Sequence, residues 1–220
     1  MSPSGGSEVR WGMVIDLVRC VGCQTCTIAC KQENGLPAGV LWRFVADSEV
    51  GEYPDVRRLF LPMQCMHCVE PPCVPVCPTG ASQQREDGIV WVEYDRCVGC
   101  GYCAMACPYR ARHLIKDASW HFPGQPTPAE QATAQPARRG VMTKCTFCVD
   151  RVDRGIAREL RPGVDPEATP MCAVACIAGA IIFGDLDDAE SPACKLIKER
   201  GAVPLMPELG TNPSVYYVTE

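Results

Sequence analysis

Sixteen of the 17 cysteines fall into four groups of four, and any fold of this chain must bring them together on some shared purpose. The groups are Cys20-Cys23-Cys26-Cys30, Cys65-Cys68-Cys73-Cys77, Cys97-Cys100-Cys103-Cys107 and the more open Cys145-Cys148 with Cys172-Cys176. Four thiolates, one per iron, is the ligand set of a cubane iron–sulfur cluster, so the count matches four [4Fe–4S] clusters. Cys194 is left over and reads as a packed or surface free thiol. Clusters would also explain how the chain folds, because metal-binding free energy is folding free energy. Aromatic residues make up only 7% of the 220 residues, while 20 Pro and 19 Gly point to turns and short elements rather than a large apolar core.

Two other uses of cysteine compete with this reading. Disulfides suit short secreted chains, whereas Met1–Trp11 is polar and glycine-rich and shows no apolar signal segment. Zinc knuckles use two plus two cysteines; here three groups carry four cysteines within 10 to 13 residues. The spacing C-x-x-C-x-x-C-x-x-x-C occurs twice and is that of bacterial two-cluster ferredoxins, in which the fourth cysteine ligates the other cluster of its pair. Clusters then come in crossed pairs. Nested pairing gives Cys20, Cys23, Cys26 with Cys176; Cys145, Cys148, Cys172 with Cys30; Cys65, Cys68, Cys73 with Cys107; and Cys97, Cys100, Cys103 with Cys77.

An internal repeat supports a modular fold. Arg19–Cys30, RCVGCQTCTIAC, and Arg96–Cys107, RCVGCGYCAMAC, are identical at eight of 12 positions without a gap. Each follows a strand-like run, Met13-Val14-Ile15 and Ile89-Val90-Trp91-Val92, and a third run, Ile181-Ile182-Phe183, follows Cys176. The unit reads as strand, cysteine loop, short helix, strand. Gly22 and Gly99 allow the backbone to wrap closely around a cluster. The fold class expected is α+β: two nested two-cluster ferredoxin-like units with loop insertions and an extended C-terminal tail. Residues 1–60 with 141–190 form the outer unit and 61–116 the inner one. Residues 117–140 are a surface insertion, 158–170 split the fourth group, and 191–220 are a C-terminal helix and tail.

The stretches VIDLVRCVGCQTCTIACK, QCMHCVEPPCVPVCPTGAS, RCVGCGYCAMACPYRAR, KCTFCVDRVDRG and FGDLDDAES resemble the iron–sulfur subunits of the polysulfide, thiosulfate and dimethyl sulfoxide reductase group of molybdenum and tungsten enzyme complexes. The resemblance implies a non-catalytic electron-transfer subunit. It would hold four [4Fe–4S] clusters in a line between a molybdopterin catalytic subunit and a membrane quinone-reactive subunit. In related nitrate reductase subunits a tryptophan replaces the second cysteine of the third group; Cys100 stands here, so four full cubanes are expected. Formate dehydrogenase subunits carry a C-terminal membrane helix that this sequence lacks. The competing reading is a soluble polyferredoxin that shuttles between redox enzymes.

Other features exclude more than they assign. The formal charge of −5 would fall to roughly −13 with four clusters of about −2 each, a poor match for nucleic acid. The most apolar stretch, Ala173–Phe183, has 11 residues against the roughly 20 of a spanning helix. Any membrane association therefore runs through a partner, at the cytoplasmic face or after export with a partner. No phosphate loop, dinucleotide fingerprint or nucleophile–base pair is present, and no catalytic residue is assigned. His67, between Cys65 and Cys68, reads as a hydrogen-bonding neighbour of a cluster. Lys31 and Lys144 adjoin ligand cysteines and read as solvated. Proline follows Cys77 and Cys107, but Ile177 follows Cys176, which frees an N–H for a sulfur.

Overall fold

A computed structural model describes residues 9–116 and 120–220. The chain order is β1 (Trp11–Asp16), α1 (Thr25–Glu33), β2 (Phe44–Val50), β3 (Arg57–Met63), β4 (Ser82–Gln84), β5 (Val90–Val92), α2 (Tyr102–Met105), β6 (His113–Leu114), α3 (Pro128–Thr133), β7 (Met142–Thr143), α4 (Val149–Ile156), α5 (Met171–Val174), β8 (Ile181–Asp185), α6 (Pro192–Arg200), β9 (Val203–Pro204) and β10 (Val215–Val218). Elements are short because a cysteine loop interrupts the chain before most of them can lengthen. Both copies of the repeat follow the expected plan, with β1 leading to α1 and β5 leading to α2.

The main sheet has the order β8-β1-β10-β9. All six residues of β1 are buried, which its unbroken apolar run anticipates for a strand covered on both faces. Trp11, Met13 and Ile15 face the half of the molecule that holds the cysteines, together with Phe147 and Phe183. Val14 faces the other way, against Leu186, Ala193, Ala202 and Val218. Helix α6 supplies that cover; it starts with Pro192 behind Ser191 and stops at Gly201 in the left-handed region, the usual proline-first, glycine-last arrangement. Each such aliphatic side chain removed from water contributes about 1.5–3 kcal/mol.

The C-terminal segment, an extended tail that the sequence leaves open as a strap on its own domain or a partner contact, is a strap. Its Val215–Val218 lies parallel to β1, with Met13 opposite Val215 and Asp16 opposite Val218. The 120–140 part of the surface insertion folds into α3, started by Thr127 and Glu130 in a reciprocal capping box; residues 117–119 of that insertion and 1–8 of the outer unit lie outside the described residues. The remaining sheets are two-stranded: the largely exposed hairpin β2·β3, and the pairs β4·β5 and β6·β7.

Candidate iron–sulfur sites

Strand pairing determines which cysteine loops meet. In β1·β8, Ile15 lies opposite Ile181, so the loop that begins at Cys20 ends beside the turn containing Cys176. In β4·β5, Ser82 lies opposite Val92, which sets the turn containing Cys77 beside the loop that begins at Cys97. The two arrangements are equivalent, and they share a detail. The turn after each fourth cysteine contains a left-handed glycine, Gly179 or Gly80, covered by the arginine that opens the repeat, Arg19 or Arg96. All 17 cysteines are free thiols.

The first C-x-x-C of each of the four groups has a left-handed residue directly before its second cysteine: Gly22, His67, Gly99 and Phe147. That conformation turns successive side chains towards one centre. Burial pushes the Cys30 thiol well up, and repulsion from Cys145, Cys172 and Cys148 adds to it. Asn34 Nδ2 spans the same set, 3.7 Å from Cys30 Sγ and 3.8 Å from Cys148 Sγ. Burial likewise raises Cys20, with Cys26, Cys176 and Cys23 adding repulsion. It raises Cys68 to about 12, where Cys65, Cys73 and Cys107 are the repelling neighbours. Burial raises Cys103 too; Arg112 opposes the rise, while Cys73, Cys97 and Cys77 reinforce it. Cys100 is exposed at the end of the loop that leads into α2.

The sets are also neighbours of one another. Cys172 repels Cys26, Cys145 repels Cys65, and Cys103 repels Cys73. Cys23 and Cys100, at opposite ends of this succession, are the two exposed thiols. Burial pushes Cys145 and Cys148 to about 12, so without a compensating cation both stay protonated. A coordinating metal removes that proton outright.

The surroundings fit clusters better than single ions. Four thiolates on one zinc at about 2.3 Å would lie about 3.8 Å apart around it. Among the described residues, no three His, Cys, Asp or Glu side chains close up as ligands of one ion. Backbone N–H groups point at cysteine sulfurs: Ala180 to Cys176 (3.2 Å), Ser82 to Cys77 (3.4 Å), Met142 to Cys97 (3.4 Å) and Phe147 to Cys145 (3.5 Å). Among the described residues, four of eight buried side-chain N or O atoms without a partner belong to Arg43, His67 and Arg112, which line the cysteine sets. Such orphaned donors are rare in a finished interior, and the inorganic sulfides of a cluster are acceptors of the right kind.

Several neighbours differ from expectation. The N–H that reaches the Cys176 thiol comes from Ala180, and the Ile177 side chain is exposed. Lys144 is fully buried; it donates to the carbonyl oxygens of Val90 and Cys145. Lys31 likewise donates to the carbonyls of Pro37 (2.5 Å) and Val40 (3.0 Å), a capping rather than a solvated role. His67 accepts from the Val90 N–H at 3.1 Å through Nδ1 and stacks on Phe147 with ring centroids 3.8 Å apart. Burial holds its imidazole well below the usual range, and repulsion by Lys144 and Arg112 acts in the same direction. Cys194 is buried in α6, away from every set. Sequence reasoning missed Arg43 and Arg112. Arg43 is fully buried with Nη1 3.2 Å from Cys172 Sγ, and Arg112 has Nη2 2.8 Å from Cys73 Sγ. Neither adjoins a cysteine in sequence, so no local signal marks them.

Comparison with known proteins agrees with this site. The 4Fe-4S dicluster domain family matches residues 56–121. The chain is 40% identical to a selenate reductase subunit of Mesobacillus selenatarsenatis, over 97% of this chain and 73% of that protein. It is 40% identical to a sulfite dehydrogenase subunit of Allochromatium vinosum, over 94% and 81% respectively. It is 37% identical to the iron–sulfur cluster-binding subunit of menaquinone reductase from Nitratidesulfovibrio vulgaris, over 96% and 89%. With a dicluster signature in the middle and relatives aligned almost from end to end, the chain belongs to the iron–sulfur, electron-transfer subunits of the polysulfide, thiosulfate and dimethyl sulfoxide reductase group of molybdenum and tungsten oxidoreductase complexes.

Proposed function

We propose that this chain relays single electrons along four [4Fe–4S] clusters between a molybdopterin-containing catalytic subunit and a membrane quinone-reactive subunit, without catalysing a reaction itself. The ligand sets are Cys20, Cys23, Cys26 with Cys176; Cys30 with Cys145, Cys148, Cys172; Cys65, Cys68, Cys73 with Cys107; and Cys77 with Cys97, Cys100, Cys103. The observation that carries this reading is the β1·β8 and β4·β5 pairings, which bring a fourth cysteine beside another group's loop, and it is supported by Asn34 between Cys30 and Cys148. Each bound cluster supplies a one-electron couple whose potential the surrounding charge and hydrogen bonds set.

The protein's own residues hold, orient and insulate. Left-handed Gly22, His67, Gly99 and Phe147 shape the loops, and buried apolar side chains keep water from the two middle sets. At the two ends the insulation thins. Val21 and Ile177 lie exposed near Cys23, and Val98, Tyr102 and Met105 near Cys100. Apolar rims around the terminal sets suit partner subunits on both sides. A quinone-linked partner is in keeping with the menaquinone reductase relative, and membrane contact through a partner is in keeping with the described residues, among which no helix is long and apolar enough to span a bilayer.

Metal and sulfide analysis of the purified complex tests the cluster count, with about 16 irons per chain expected. Substantially fewer irons, or zinc in their place, overturns the reading. Gel filtration tests the partners: a lone 23.9 kDa species in native extracts would point to a diffusing carrier instead.

A further inference from the structure

Arg43 and Arg112 occupy matching places around the two middle cysteine sets. Arg43 Nη1 approaches Cys172 Sγ at 3.2 Å, and Arg112 Nη2 approaches Cys73 Sγ at 2.8 Å. Cys172 and Cys73 are each the third cysteine of their group. Both guanidinium groups are buried, at 1% and 6% exposure. Among the described residues neither forms an ion pair with a carboxylate. Arg43 has further contact with Met13 Sδ (3.4 Å), and Arg112 with Ser82 Oγ (2.7 Å). Among the described residues Arg43 Nε and Nη2 and Arg112 Nη1 have no hydrogen-bond partner. A buried charge persists only where an opposite charge compensates it. Here the anions within reach are cysteine sulfurs.

Arg43 also acts on Cys26 and Arg112 on Cys103 of the outer sets, but among the described residues neither donates a hydrogen bond to an outer-set sulfur. The repeat arginines nearest the outer sets, Arg19 and Arg96, are exposed, and Arg96 is occupied by Glu93 and the Thr79 carbonyl. Solvent screens such charges heavily. Lys144, also buried near the middle, spends its ammonium on two carbonyl oxygens rather than on sulfur.

We propose that Arg43 and Arg112 are a matched pair of charge-setting residues that raise the reduction potentials of the two central clusters above those the same ligands would otherwise give. The proposal rests on the four-cluster reading above. Reduction adds one electron to the cluster core, drawn from a neighbouring reduced cluster that is thereby oxidised by one. No bond breaks and no proton moves, because guanidinium stays charged. A fixed positive charge at the ligand sulfur favours the more negative, reduced core.

Redox titration of the iron-loaded complex, followed by electron paramagnetic resonance, tests this with R43Q, R112Q and the charge-conserving R43K and R112K. Each glutamine variant is expected to lower one central potential by at least tenfold in the reduction constant, about 59 mV for one electron. The two variants should move different signals, and each lysine variant should keep most of its potential. Iron loss in the glutamine variants with retention in the lysine variants would also support a charge role. Unshifted potentials in iron-replete glutamine variants overturn the proposal, as do equal shifts or equal iron loss in the lysine variants, which would mark a packing role. Fewer than about 16 irons in the unaltered chain overturns instead the four-cluster reading beneath it.

Discussion

Replacing Gly99 by alanine should cost the chain a cluster, whereas the same change at its repeat equivalent, Gly22, should cost only stability. The two positions share a backbone: φ is +67° at Gly99 and +68° at Gly22, and an alanine in that region costs about 1–2 kcal/mol. Their surroundings differ. A Cβ on Gly22 would lie 2.4 Å from the Phe60 ring, which can rotate away at about 0.5–1.5 kcal/mol. A Cβ on Gly99 would lie 2.3 Å from the Gly140 carbonyl oxygen, which is backbone. Gly140 is held by its N–H to the Ile115 carbonyl (2.7 Å), and the Ile115 N–H returns to Val141 (3.3 Å). Two residues on, Met142 donates its N–H to Cys97 Sγ.

Relieving the clash at Gly99 therefore disturbs three hydrogen bonds, one of them to a cluster ligand. At about 0.5–1.5 kcal/mol each, with about 1–3 kcal/mol for overpacking and the backbone cost, the total is about 4–9 kcal/mol. That is comparable to the whole stability of an ordinary domain, about 5–15 kcal/mol. The Gly22 total is about 2–3 kcal/mol. Iron analysis after anaerobic reconstitution should give about 12 irons per chain for G99A against about 16 for G22A, given four irons per cluster. Thermal melting followed by circular dichroism should place the G22A midpoint about 4–12 °C below the unaltered chain. Full iron in G99A, with a melting point equal to that of G22A, would refute the reasoning.

Cys30→Ser should perturb the same resonance signal as Cys148→Ser and a different one from Cys26→Ser, since Asn34 links Cys30 with Cys148; a C30S spectrum that matches C26S would instead establish sequential pairing. In the capping box of α3, N–H groups of His121 and Thr127 hold the Glu130 carboxyl down to about 2, from an ordinary 4.5. Because the folded value is depressed, this contribution is fully present above about pH 4.5 and is lost as pH falls towards 2. Amide protection at His121 and Thr127, measured against the intrinsic rate at each pH by brief-pulse mass spectrometry, should fall across that window and should be low throughout in Glu130→Gln. Protection at Thr127 that stays constant from pH 5 to pH 2.5 would disprove the coupling.

What the sequence discloses here is whatever lies close along the chain. Cysteine spacing is compact in three groups and split in the fourth, so the sixteen grouped cysteines and the repeat are readable, as are the apolar runs of β1, β5 and β8. The strand-like Val215–Val218 is readable as extended, but not its place beside β1, since its partner residues lie about 200 positions away. The hydrogen bond to the Cys176 thiol illustrates a subtler gap. Gly179 N–H bonds back to the Cys176 carbonyl, and Gly179 is left-handed, so the tight turn returns Ala180 rather than Ile177 to the sulfur. Cys77 follows the same course through Gly80 to Ser82, with Pro78 in the position of Ile177. The residue after the fourth cysteine therefore matters little to that hydrogen bond.

His67 and Phe147 connect these themes. Both stand where the repeat uses glycine, and both adopt left-handed backbone at φ +43° and +54°. A non-glycine residue so placed costs about 1–3 kcal/mol, so glycine would be the easier choice if the loop alone mattered. Their rings stack between the loops of the two middle sets, which returns about 0.5–1.5 kcal/mol beyond burial. Stacking alone does not recover two strained residues. Its further effect is to fill the space between Cys65-Cys68 and Cys145-Cys148 with apolar matter where two glycines would leave room for water. In that drier interior the charges of Arg43 and Arg112 act at low effective dielectric, several times more strongly than at the surface. Strain at two loop residues, a buried aromatic pair and two carboxylate-free arginines are thus parts of one arrangement, which separates an insulated centre from the accessible ends at Cys23 and Cys100.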